Sequence, residues 1–133
     1  MTPFNFEVHT PFRLFYSGTA QAVILTLVDG EIGMYANHSP FTAVTVTGIL
    51  RILEEDGKWR SAFVSAGILE VKSEKNVLMV DSAQWPNEIE KERALESKKE
   101  AEKMLEENNF KFEVDKAKAK LKRAVFRLKI LSE

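Results

Sequence analysis

The chain has 133 residues, of which 44% are hydrophobic and 29% are charged. This composition is typical of a globular protein with one core of ordinary size, or one core and a small appendage. The formal net charge of -1 argues against non-specific nucleic-acid binding as the main function. The absence of cysteine excludes disulfides and thiolate chemistry. We see neither an apolar run long enough to span a membrane nor an export signal, and so expect no direct membrane insertion.

Strand patterns fill the first 85 residues. Residues 4–9 alternate between apolar and polar side chains, as in a strand with one buried face. A β-branched apolar run covers residues 20–28, and short β-rich runs follow from residue 43. The dipeptide Asp56-Gly57 between two such runs favours a tight hairpin turn. We therefore predict an antiparallel β-sandwich or barrel over residues 1–85.

Helical patterns begin after Trp85-Pro86. We predict a first helix that ends near Glu107, with Asn87 as its cap, and a second helix over residues 113–131. The first helix offers a thin apolar stripe of Ile89, Ala94, Ala101, Met104 and Leu105. The second helix offers a fuller one of Val114, Ala117, Leu121, Ala124, Val125, Leu128 and Leu131. Residues 86–109 have a net charge of -3 and residues 110–133 one of +5, so we expect an antiparallel hairpin over residues 86–133.

Some apolar residues of the second helix lie away from its main stripe. Phe126, Ile130 and Ala119 would stay uncovered when the two helices pair, so they require a second surface. Short helices gain most of their stability from tertiary packing. The hairpin could therefore exchange one docking surface for another, or it could be fixed permanently on the strands.

Residues 28–41 place charged side chains between two apolar runs. A metal site formed by Asp29, Glu31 and His38 lacks a standard ligand spacing, and a catalytic pair lacks a nucleophile or a phosphate-binding loop. We predict neither catalytic nor metal-binding residues. Gly30 and Gly33 are expected to form tight turns, from which Glu31 and His38 project towards a partner.

Four segments of the chain, in their order and spacing, resemble the epsilon subunit of bacterial F-type ATP synthases. They are residues 28–34 (VDGEIGM), 37–40 (NHSP), 64–71 (VSAGILEV) and 89–94 (IEKERA). The resemblance covers nearly the whole chain and implies a sandwich of about ten strands with a C-terminal helical hairpin.

The resemblance also implies a function. An epsilon-like chain is a non-catalytic central-stalk subunit of a proton-translocating synthase, peripheral to the cytoplasmic face of the bacterial cell membrane. Its sandwich binds the gamma subunit, and loops matching Glu31 and His38 contact the membrane rotor ring of c subunits. Its hairpin can swing up towards the alpha and beta subunits and restrain ATP hydrolysis.

A nucleotide-binding motif of some epsilon subunits is matched in part. Where that motif has Ile or Leu, Asp, two variable residues, Arg and Ala, this chain has Ile89, Glu90, Arg93 and Ala94. The glutamate keeps the negative charge but adds a methylene. No cofactor is expected to be required, and ATP would be a weak regulatory ligand.

Two arginines of the second helix could hold the phosphates of such a ligand. Arg123 and Arg127 lie one helical turn apart, which suits a polyphosphate. Glu100 stands where ATP-binding relatives carry an arginine, and its charge opposes phosphate. The alternative is that these arginines and Arg93 pair with acidic side chains, each exposed pair contributing about 0–1 kcal/mol.

The basic second helix suggests how inhibition could work without nucleotide. The resemblance implies that its basic flank meets an acidic segment of the catalytic subunits, while two apolar residues anchor the contact. The residues concerned are Lys116, Lys120, Arg123, Phe126, Arg127 and Ile130.

Two other classes of function stay open. One is a free-standing β-sandwich binding module whose basic C-terminal helix binds an acidic partner, although that helix lacks aromatic residues interleaved for stacking on nucleic-acid bases. The other is a small sandwich enzyme that uses Glu31 and His38. Copurification separates them, because only an epsilon subunit should retain gamma.

Overall fold

The computed structural model of the protein describes residues 2–36, 39–107 and 109–133. The chain divides into two compact units, the first ending at Gln84 and the second beginning at Trp85. Nine strands among the described residues form the first unit, and two helices with a short 3₁₀ helix form the second. The predicted fold class, a β-sandwich followed by a two-helix hairpin, is confirmed. Within the described ranges, neither helix has the length and hydropathy that a membrane crossing requires.

The strands are β1 (Phe4–His9), β2 (Leu14–Leu27), β3 (Gly30–Met34), β4 (Phe41–Thr45), β5 (Gly48–Glu54), β6 (Trp59–Val64), β7 (Gly67–Val71), β8 (Lys75–Val80) and β9 (Ala83–Gln84). Their hydrogen-bonded order is β1-β8-β7-β4-β2-β5-β6-β9, and β3 pairs with β2. Strand β2 also pairs with β1, so the strands wrap around a shared interior. All pairs are antiparallel except β1 with β8, which run parallel, a departure from the purely antiparallel arrangement that we predicted.

Alternating side chains fill this interior. On β1, Phe6 and Val8 are completely buried, whereas Glu7 between them faces outwards. The same alternation on β8 buries Leu78 and leaves Met79 exposed. The largest fully buried side chains all come from the strands: Phe6, Phe63, Leu25, Met34, Leu50, Ile52, Leu69, Leu78, Val8 and Val23.

Two glycines close hairpin turns. Gly57, at φ 85°, lies in the predicted turn between β5 and β6, and Gly30, at φ 125°, closes the turn between β2 and β3. Gly33 was expected to form a turn as well, but it lies inside β3 opposite Ile24.

The second unit begins with a 3₁₀ helix over Pro86–Glu88, followed by α1 (Lys91–Glu107) and α2 (Lys111–Leu131). Asn87 therefore lies within the 3₁₀ helix and does not cap α1 as predicted. The Trp85 backbone N–H donates to Glu88 Oε1 at 2.9 Å, and Pro86 fits the first helical position because that position needs no N–H donor. The extended backbone of Ile89 then separates this turn from α1.

A seam of alanines joins α1 and α2. Ala94 and Ala101 of α1 and Ala117 and Ala124 of α2 are at most 4% exposed, and each pair is seven residues apart. The short connection between the helices and an ion pair between their middles, Glu100 with Lys120, establish the antiparallel hairpin.

Two apolar residues of α2, Val125 and Ile130, differ in burial from the prediction. Val125 was placed on the stripe but is 40% exposed. Of the three residues expected to lie away from the stripe, Ala119 is exposed, Phe126 is half-buried and Ile130 is only 3% exposed. Ile130 is thus covered in this conformation and not available to a partner.

We expect that Ala117→Leu destabilises the hairpin by about 1–3 kcal/mol, because the close seam has no room for the added carbons. Urea unfolding followed by helical circular dichroism measures the change. Ala119→Leu, on the exposed side of the same helix, is the matched control and should change stability by less than about 0.5 kcal/mol. Equal effects of the two substitutions would contradict a tight alanine seam.

Candidate functional site

The outer face of the sandwich carries a row of four adjoining side chains, three of them apolar, which we name the outer row: Val44, Ile68, Met79 and His9. The register places Val44 opposite Ile68, Ile68 opposite Met79, and Met79 opposite His9 across four neighbouring strands. Val44 is 65% exposed, Ile68 44% and Met79 38%. Scattered exposed apolar residues need no explanation, but a contiguous group is typical of a contact surface.

A groove runs along one end of the outer row. It has a volume of about 430 Å³ and is lined by residues 9–11, 66–68 and 79–81. Gly67 lies at its base, where a Cβ atom would fall within 2.0 Å of the Met79 backbone oxygen. The close approach of β7 and β8 at this point therefore requires glycine.

A small polar cluster on β1 and β8 adjoins the His9 end of the outer row. His9 Nε2 lies 2.7 Å from Glu7 Oε1, and Lys75 Nζ lies 3.5 Å from the same oxygen. The hydrogen bond with His9 lowers the pKa of Glu7; partial burial opposes this shift, and the charge of Lys75 supports it. Glu7 therefore stays ionised beside the apolar surface.

Of the two residues predicted to contact the rotor ring of c subunits, the structure describes Glu31. Glu31 is exposed on β3 opposite Thr26, just after the two-residue turn of Val28 and Asp29. His38 lies outside the described residues. Among the described residues, no group of three histidine or acidic side chains is arranged to hold a metal ion.

The structure brings together the three arginines of the predicted nucleotide site. Burial lowers the pKa of Arg127, and the neighbouring charges of Arg123 and Arg93 lower it further. Arg93 comes from α1 and the other two from α2, so the antiparallel hairpin creates the cluster. Three positive charges on one flank form a site that favours an anion.

The remaining residues of the nucleotide motif are arranged less favourably. Ile89 and Ala94 are buried, so they serve packing, and Glu90 is exposed. Glu100 accepts a 2.7 Å hydrogen bond from Lys120 Nζ, one turn before Arg123 along α2. The carboxylate is thus partly neutralised, and this lysine is occupied by an ion pair.

The predicted inhibitory flank is only partly exposed. Lys116 is exposed, whereas Lys120, Arg123 and Arg127 are half-buried. The half-buried Phe126 ring lies 5.5 Å from Lys129 Nζ, a cation–π contact.

Sequence reasoning missed the outer row, although the signal was present. The outward positions of β4, β7 and β8 follow from strand alternation, but that Val44, Ile68 and Met79 adjoin one another follows only from the register. It also missed two aromatic side chains at the connection between the helices, Phe110 and Phe112, which are 77% and 75% exposed.

Two family models match the chain. The model for the beta-sandwich domain of the ATP synthase delta/epsilon chain matches residues 3–86. The model for the long alpha-helix domain of the same chain matches residues 87–132. Together they cover almost the whole sequence.

Bacterial relatives match over the full length. The chain is 42% identical to the ATP synthase epsilon chain of Caldicellulosiruptor bescii over 133 residues, which cover 100% of this chain and 96% of the relative. It is 40% identical to that of Caldanaerobacter subterraneus over 131 residues, covering 98% and 94%.

Solved structures share the fold at low sequence identity. A chain in the cryo-EM structure of the Euglena gracilis mitochondrial ATP synthase, OSCP/F1/c-ring, matches with a TM-score of 0.84 at 17% identity, covering 100% of this chain and 83% of that one. A chain of the Tetrahymena thermophila mitochondrial ATP synthase central stalk and c-ring matches with a TM-score of 0.63 at 11% identity, covering 98% and 97%.

Proposed function

Because the chain belongs to the epsilon chain family of ATP synthase, we propose that it joins the gamma subunit to the rotor ring in the central stalk of a proton-translocating enzyme. An epsilon chain is a non-catalytic subunit of the synthase. In the same proposal the chain is peripheral to the cytoplasmic face of the bacterial cell membrane, and its helical hairpin restrains ATP hydrolysis.

The outer row is the observation that carries the proposal. A subunit that transmits rotation needs a stable contact with gamma, and stable contacts are centred on apolar side chains that become dry on binding. Val44, Ile68 and Met79 offer such a centre on a rigid sheet, where neighbouring strands fix their spacing. The cluster of Glu7, His9 and Lys75 supplies polar groups at the edge of the contact.

We expect that Ile68→Glu weakens binding to purified gamma by about tenfold or more, because the change buries an unpaired charge at the centre of the contact. Calorimetric titration of gamma with the full chain measures the effect. Val28→Glu is the matched control, since Val28 is a 75% exposed apolar residue in a turn away from the outer row. Unchanged gamma binding by Ile68→Glu would exclude this face as the contact.

Contact with the ring is assigned to the loop end of β3. Glu31 projects there from an edge strand close to a tight turn, and its exposed carboxylate suits the polar loops of c subunits. We assign His38 to the same contact on the family resemblance alone.

The hairpin is assigned the regulatory function. Its α2 helix carries most of the positive charge of the second unit, and Lys116 is already exposed for contact with an acidic segment of the alpha and beta subunits. Phe126 and Ile130 would join the contact only after a rearrangement, because Ile130 is buried here. A shift of the hairpin population from 1:99 to 99:1 takes about 5.5 kcal/mol, which several modest contacts can supply.

Deleting residues 88–133 should leave the sandwich folded and its gamma binding intact while raising the ATPase activity of the reassembled complex. The reason is that the strands form a compact unit with their own core. ATPase assays and gamma titrations on the same preparations measure both effects, with the full-length chain as the control. Loss of gamma binding in the truncated chain would refute this division of function.

A weak regulatory site for ATP is assigned to the arginine cluster of the hairpin. The charges of Arg123 and Arg93 both lower the pKa of Arg127, so the three side chains are close enough to act on one anion, and this supports the assignment. The carboxylate of Glu100 nearby lowers the expected affinity.

Titration of the full chain with magnesium-free ATP should give weak, saturable binding, and Arg123→Gln should abolish it by removing one of three phosphate-binding charges. Calorimetry measures both, and Lys122→Gln, an exposed neighbour with the same loss of charge, is the matched control. Equal losses in the two variants would indicate a non-specific charge effect, and an absence of saturable binding would exclude the site.

A further inference from the structure

Met79 stands at the centre of the outer row. It lies on β8 with Ile68 of β7 on one side and His9 of β1 on the other. Strand alternation turns its neighbours Leu78 and Val80 into the core and leaves Met79 38% exposed at the groove. When gamma is not bound, water and small solutes therefore reach a residue at the middle of the proposed gamma contact.

The other described methionines differ in both exposure and position. Met34 is completely buried in the sandwich, and Met104 is half-buried on α1 of the helical unit. The rate at which a thioether is oxidised increases with its exposure to solvent. Of the two methionines in the strands, Met34 and Met79, a dissolved oxidant can therefore reach Met79.

We propose that Met79 is a site of oxidation by hydrogen peroxide and that its sulfoxide form weakens binding to gamma; the inference rests on the function proposed above. The sulfur lone pair attacks one peroxide oxygen, an S–O bond forms and the O–O bond breaks. The departing hydroxide takes the proton of the transferred oxygen and leaves as water. Sulfur is oxidised by two electrons and the peroxide is reduced by two.

The consequence for binding follows from polarity. A thioether is an apolar, adaptable contact group, whereas a sulfoxide carries an oxygen that must accept a hydrogen bond when it is buried. Of the two side chains that flank Met79, Ile68 has no polar atom, and the Nε2 atom of His9 already lies 2.7 Å from Glu7 Oε1. Oxidation therefore places a polar acceptor at the centre of a mainly apolar contact, where it opposes docking most.

The test compares gamma binding by the full chain before and after peroxide treatment, with the peroxide removed before the titration. Peptide mass spectrometry should find one added oxygen on Met79 before any on Met34, and affinity for gamma should fall by about tenfold. Treatment with a methionine sulfoxide reductase should restore the affinity.

Two variants locate the effect. The Met79→Leu variant should bind gamma with the same affinity before and after peroxide treatment, whatever that affinity is. Met104→Leu, in the helical unit, should bind gamma as the unsubstituted chain does and keep the full response to peroxide. Oxidation of Met79 without loss of affinity, or an equal loss in Met79→Leu, would overturn the inference while leaving gamma binding in place. Failure of the untreated chain to bind gamma would overturn the proposed function and, with it, the inference.

Discussion

Strand β2 hydrogen-bonds to four other strands along its fourteen residues. Its first half pairs with β1, and its second half pairs with β3 and β5 and, at Leu27, with β4. Because each pairing fixes a register, this one strand determines which side chains of its neighbours turn inwards. The exposed position of Glu31 depends on the register between β2 and β3. Strand β2 also pairs with β1 and β4, the two strands that carry the ends of the outer row, His9 and Val44.

The two units are stabilised by different kinds of packing. The sandwich buries large side chains such as Phe6 and Phe63, which remove much apolar surface from water. The seam between the two helices of the hairpin buries four alanines, each contributing about 0.8 kcal/mol through its methyl group. An element that buries little apolar surface opens at a low free energy, so the hairpin can rearrange. The sandwich buries more apolar surface and stays rigid.

Charge and apolar surface are likewise separated between the units. The sandwich presents the apolar outer row with a compact ionic cluster at its edge. The hairpin presents a positive flank in which the charges of Arg123 and Arg93 act on the half-buried Arg127. Apolar contact favours long-lived attachment, while charge favours reversible and selective encounters. This distribution is consistent with permanent attachment through the strands and regulation through the helices.

The sequence by itself determined the fold class, the change from strands to helices near Trp85 and the antiparallel pairing of the helices, because these follow from local periodicity and charge. It also indicated Arg123 and Arg127 as one group, since a single helical turn separates them. Tertiary structure alone decided that β1 runs parallel to β8, that Ile130 is covered, and that Val44, Ile68 and Met79 form one row. The reason is that periodicity specifies which face of an element a residue occupies, whereas the neighbours of that face depend on registers and packing between segments distant in the chain.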